Sequence, residues 1–112
     1  MNLNEFMNKY GAALFVKVTP DGTETVRGAD AESVMHLYMQ LIGRQDYETL
    51  REYLSGQTML PRLWGSGAVQ CIMFPDAEGG VIAMFMKYTG DAAGLAERAK
   101  LMMHRWQEEF EW

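Results

Sequence analysis

The chain of 112 residues contains a single cysteine, Cys71. One cysteine cannot close an internal disulfide and cannot build a Cys-based zinc site. Nothing else in the sequence points outside the cell, so a cytoplasmic location is the expectation. A basic excess is also missing, because ten Lys and Arg against fifteen Asp and Glu leave a net charge of −5. Nucleic-acid binders carry a basic face, whereas the cations here are scattered, so neither nucleic acid nor an anionic membrane is expected as a partner. No uninterrupted apolar run approaches the roughly 18–20 residues of a membrane span. The opening MNLNEFMNKYG lacks the basic start, apolar stretch and cleavage site of a secretory signal. Proline is scarce too, with Pro20 and Pro75 in expected loops and Pro61 inside an extended segment.

What the chain does have is apolar content, 48% of residues, enough to bury one core without staples. A single domain over 1–112 is expected. Asn2 or Asn4 can cap a short helix to Tyr10, with Leu3, Phe6, Met7 and Tyr10 on one side and Gly11 ending it. Ala12 to Thr19 (AALFVKVT) is rich in β-branched and aromatic residues and reads as a strand. Thr19-Pro20-Asp21-Gly22 is a turn, since proline presets φ and glycine supplies the freedom needed where the next strand begins. Thr23 to Arg27 then returns as a short, polar edge strand.

Asp30 is placed to cap a helix from Ala31 to Ile42. Its apolar residues, Val34, Met35, Leu37, Tyr38, Met39, Leu41 and Ile42, wrap most of the circumference instead of forming one stripe. Such a helix must be covered on more than one side, and a partner chain is one way to cover it. Asp46 caps a second stretch in which Tyr47, Leu50, Tyr53 and Leu54 recur at helical spacing. Three extended segments follow. Gln57 to Trp64 contains Pro61, which cannot donate to a ladder and so belongs at an edge or bulge. Gly65-Ser66-Gly67 reads as a tight turn, and Ala68 to Phe74 as a strand. Val81 to Tyr88 (VIAMFMKY) is apolar on both alternating sets, as in a central strand covered on both faces. Leu95, Ala99, Met102, Trp106 and Phe110 form the stripe of a last, amphipathic helix opened by Gly90 and Asp91. The expected fold is therefore α/β in the layered α+β sense, in the order α-β-β-α-β-β-β-α, with a five-stranded antiparallel sheet between helices.

That order, with GAALFVKVTPDG, then GADAES, then GGVIAMFMKYTGDAAGLAERAKLMM and its Gly94-Leu95 pair, resembles the roadblock, or dynein light chain-related, family, including its stand-alone bacterial members. The resemblance covers nearly the whole chain. Profilin-like and sensor domains with a similar strand order are the alternative. The resemblance implies homodimers or heterodimers in which central helices pack together and sheets join edge to edge. It also implies a platform for a small Ras-like GTPase, acting without a donated catalytic residue.

Candidate chemistry is sparse. His36 has no second ligand spaced for it. His104 and Glu108 lie four apart on one helical side, but two ligands do not make a zinc site. Cys71 sits mid-strand with no base or helix N-terminus to activate it, as expected of a buried structural thiol. Asp21, Asp76 and Glu78 fall in turns, and turn chemistry accounts for them. Gly65-Ser66-Gly67 lacks the length and the lysine of a phosphate loop. No catalytic residue, metal ligand or cofactor is therefore expected. Ten methionines are present; Met73, Met84 and Met102 suit a core, whereas Met35 and Met39 suit a core or an adaptable interface equally. Trp112 suits docking on a partner or a frayed end.

The expected function is that of a non-enzymatic dimeric scaffold or regulator. It pairs with itself or with another roadblock-type chain, and binds a small Ras-like GTPase or a related signalling partner. The expected interface residues are Val34, Met35, Tyr38, Met39 and Ile42 on the central helix, with Met59, Leu60 and Leu63 on the edge segment. The alternative is a small-ligand sensor, with Gln70, Lys87 and His36 as the available polar lining.

Overall fold

The computed structural model of the protein describes residues 2–56 and 60–109. Helix α1 (Leu3–Tyr10) begins where Asn2 accepts the Glu5 N–H at 2.9 Å, and ends at Gly11, whose φ of 74° few other residues adopt. Strands β1 (Ala12–Thr19) and β2 (Gly22–Arg27) form an antiparallel hairpin across Pro20 and Asp21. Next come a 3₁₀ turn Ala31–Val34, an α-helical turn α2 (Met35–Tyr38) and a π turn Met39–Gly43, one helical run over 31–43. Helix α3 (Tyr47–Leu54) is capped by Asp46, which accepts the Thr49 N–H at 2.8 Å. Strands β3 (Arg62–Ser66), β4 (Val69–Pro75) and β5 (Val81–Lys87) lead to helix α4 (Ala92–Glu109).

The five strands make one antiparallel sheet in the order β2-β1-β5-β4-β3. The last strand in sequence thus lies in the middle, and Val81 to Met86 are all buried, as their two apolar sets require. Helices cover both faces. On one, α1 and α4 bury Phe6, Met7, Met102 and Trp106 against Phe15, Ile72, Phe74, Ile82 and Met84. On the other, the run 31–43 and α3 bury Val34, Leu37, Ile42, Leu50 and Leu54 against Leu14, Val16, Cys71, Met73, Ala83 and Phe85. Each fully covered large side chain contributes roughly 1.5–3 kcal/mol. A bulge at Ala13 shifts the β1–β5 register between Ala12 and Leu14. It puts Ala12 in the α1/α4 layer and both Ala13 and Leu14 in the opposite one.

Three local expectations are corrected. Asp30 does not cap the run that follows: its φ is 64°, which turns the carboxylate away from the helical N–H groups and toward Lys87, 2.8 Å distant. Ser33 closes that turn instead, donating its hydroxyl to the Asp30 carbonyl at 2.7 Å. The third strand begins at Arg62, just past the proline that has no N–H to give it, although Gln57 to Met59 lie outside the described residues. The β3–β4 turn falls at Gly67-Ala68, one step later than the Gly65-Ser66-Gly67 reading, because Ser66 still pairs with Val69 and Gly67 has the positive φ of 62°.

Candidate interaction surface

The sheet ends in two unlike edges. Strand β2 is exposed over most of its length, carries Thr23, Glu24, Thr25 and Arg27, and has Arg27 paired with Glu32 at 3.0 Å. Polar and charged side chains of this kind discourage edge-to-edge pairing. Strand β3 is different. Its central residues Leu63 and Trp64 are apolar and half-buried, and β4 occupies only one of its sides. Alternate main-chain N–H and C=O groups of such a strand point outward. Its single charge is Arg62, which lies 5.0 Å over the Trp64 ring and donates to the Tyr53 carbonyl at 3.3 Å. Tyr53, 41% exposed, lies beside Trp64 with ring centroids 6.3 Å apart. Aromatic and arginine side chains of this type are over-represented among residues that dominate binding energies.

The helical run 31–43 divides its apolar residues more finely than its sequence shows. Val34, 0% exposed, and Ile42, 3% exposed, point into the protein's own core. Met35 and Tyr38 are half-buried against that core, with Tyr38 edge-on to Phe85 at 5.9 Å. Met39 alone of the expected helix set stands out, 44% exposed, in a shallow depression shared with His36, Gln40 and Arg44. The available outer face is thus Met35, Tyr38 and Met39, and Val34 and Ile42 support it from beneath. The π turn over Met39–Gly43 contributes to this division, since it changes the angular step between successive side chains. Of the expected edge residues, Leu60 and Leu63 are half-buried and line a small apolar groove, about 130 Å³, with Pro61, Ala96, Ala99 and Lys100. Met59 lies outside the described residues, as do Phe110 and Trp112.

The other candidates are dispersed. His36 and His104 are exposed on different elements, and among the described residues no three His, Cys, Asp or Glu side chains gather as metal ligands. Cys71 is 0% exposed, and burial pushes its thiol far above the ordinary cysteine range. Gln70 lines a cleft of about 520 Å³ with Gly67, Ala68, Tyr88, Thr89 and the first turn of α4. Lys87 is outside that lining and is paired with Asp30, whose carboxyl is held below the usual range by the Lys87 hydrogen bond and charge.

One polar feature escaped the sequence reading. Asp76 is more than a turn residue: its Oδ1 accepts the Ala77 N–H at 2.9 Å, and its shielded Oδ2 lies 3.4 Å from Lys17 Nζ. That separation is an ion pair without hydrogen-bond geometry. It ties the β4–β5 loop to β1. The available signal was a lysine inside an otherwise apolar strand, which needs an acid when it is covered.

No protein-family model matches the chain, and no characterised protein matches its sequence.

Proposed function

We propose that the protein is a non-enzymatic scaffold that works by pairing with other protein chains. The observation that carries this reading is the sheet edge β3, apolar and, among the described residues, with no strand on its outer side, where the opposite edge is polar and charged. Open apolar edges are a liability in a protein that acts alone. In this reading the chain self-associates through the outer face of the run 31–43, with Met39 entering the contact and Met35 and Tyr38 around it. The roadblock resemblance supports a second copy or a related chain as that partner, and a small Ras-like GTPase as the client of the dimer.

The test is sedimentation of wild type beside Met39→Asp. Met39 is already 44% exposed, so an aspartate there is tolerated by the fold and opposes only an apolar contact. The expected result is a folded monomer from a self-associating parent. Unchanged association in the variant removes this helix face from the interface.

A second reading, a small-ligand sensor, is favoured by one observation: the cleft that joins Gln70 to Tyr88 and Thr89. Thermal stabilisation by members of a metabolite panel, lost in Gln70→Ala, would establish it.

A further inference from the structure

Strand β3 is flanked on both faces by features that suit the side chains of one added strand. On the α4 side lies the apolar groove of Leu60, Pro61, Leu63, Ala96 and Ala99, with Lys100 in its wall. Two of the three helix positions that line it are alanine, which leaves room beside the strand, and its volume of about 130 Å³ is on the scale of one aliphatic side chain. On the opposite side lies the Tyr53–Trp64 pair with Arg62 over the indole. The pairing of Leu63 with Ile72 and of Trp64 with Cys71 assigns the two features to opposite faces, since Ile72 belongs to the α1/α4 layer and Cys71 to the other.

Charge narrows the occupant. Among the described residues neither Lys100 nor Arg62 has a carboxylate within ion-pair reach, in a chain whose net charge is −5. Two uncompensated cations, one on each face of the same open strand, complement an acidic segment. A second copy of β3 would bring the same two cations to this edge instead of balancing them.

We propose that β3 is a receiving edge for an extended segment of a partner protein, one with an aliphatic side chain flanked by acidic residues. Main-chain hydrogen bonds to β3 hold the segment about 4.8 Å away. One of its alternating side-chain sets puts an aliphatic residue in the α4-side groove and an acid near Lys100. The other set passes over Trp64 and carries an acid to Arg62. This rests on the proposed role in pairing with other chains, and not on self-association through the run 31–43.

The experiment is fluorescence anisotropy of the full chain with the fluorescein-labelled peptide Asp-Glu-Val-Leu-Val-Glu-Asp. Two control peptides accompany it: one with lysine at every acidic position, and one with proline for the central leucine. Native mass is recorded on the same samples. The expected result is saturable binding of the acidic peptide with a Kd of about 100 µM or tighter. Binding falls about tenfold or more for the lysine peptide, and also falls for the proline peptide, which lacks the central N–H and the leucine. Lys100→Glu, on an exposed helix position, weakens the acidic peptide about fivefold or more. Ala96→Met, which fills the groove, weakens it as well. The inference is overturned by absence of binding up to about 1 mM, by equal binding of the lysine peptide, or by full affinity in Lys100→Glu. It is also overturned if binding splits a dimer into monomers, which would make β3 the seam between copies. A wild type that is monomeric yet binds the peptide defeats self-association alone, so the two readings fail separately.

Discussion

Trp106 of α4 stacks on Phe15 of β1, with ring centroids 5.2 Å apart and planes 29° from parallel, while Phe6 of α1 meets the same indole edge-on at 5.6 Å. The last helix is thereby joined to the first helix and first strand, some ninety residues earlier in the chain, by one buried side chain. Trp106→Ala removes both ring contacts and leaves a cavity that the rigid sheet cannot close, so the expected loss is about 3–5 kcal/mol of stability. Urea unfolding with an unchanged slope and a lowered midpoint is the measurement, and a loss below about 1 kcal/mol would mean that α4 holds the sheet by other contacts.

Tyr88 folds its phenol ring against Gly90 and Gly94, where any Cβ would collide with the hydroxyl. Replacing a helical glycine by alanine ordinarily stabilises by about 0.5–1 kcal/mol. Gly94→Ala is expected to destabilise instead, because the tyrosine must move. In a Tyr88→Phe background the same substitution is expected to become neutral or stabilising, and thermal unfolding of the four proteins gives the coupling directly.

Asp46 anchors the start of α3. Hydrogen bonds from Thr49, side chain first and then main chain, favour its charged form and hold the carboxyl below its ordinary value. A depressed pKa in the folded state means that the contribution is fully present above the unfolded value and is lost as pH falls through the folded one. Asp46→Ala should therefore lower Tm at neutral pH, and the gap to wild type should narrow on acidification through and below the ordinary carboxylate range. A gap independent of pH would contradict this.

Cys71 is closed to solvent, and burial alone raises its thiol. Native protein should react with a thiol reagent only as fast as it opens, and at once in denaturant. The stabilising contribution of the protonated thiol is present below the ordinary cysteine pKa, about 8.5, and declines as pH rises above it. Rapid modification of the native protein would mean that β4 is loosely held.

Much of the architecture was legible because strong local signals agreed. The doubly apolar VIAMFMKY could only be an inner strand, and the Leu95, Ala99, Met102 and Trp106 spacing could only be a helix lying on a sheet. The run 31–43 was less legible. When apolar residues wrap a helix, no stripe says which side faces inward, so Val34 and Ile42 could not be told from Met39 before the turns were known to be 3₁₀, α and π. The Lys17–Asp76 pair and the Tyr53–Trp64–Arg62 cluster join segments that sequence spacing does not connect. The contrast between the two edges was largely legible: β2 was polar in sequence, and Pro61 already pointed to an edge for the segment that holds β3, whereas its place opposite β2 required the strand order.

The central claim is that this chain pairs with its own copy. Light scattering across a dilution series measures this most directly. The account predicts twice the 12.8 kDa chain mass at high concentration, falling toward the single-chain mass on dilution. The mass of one chain at every concentration would contradict it.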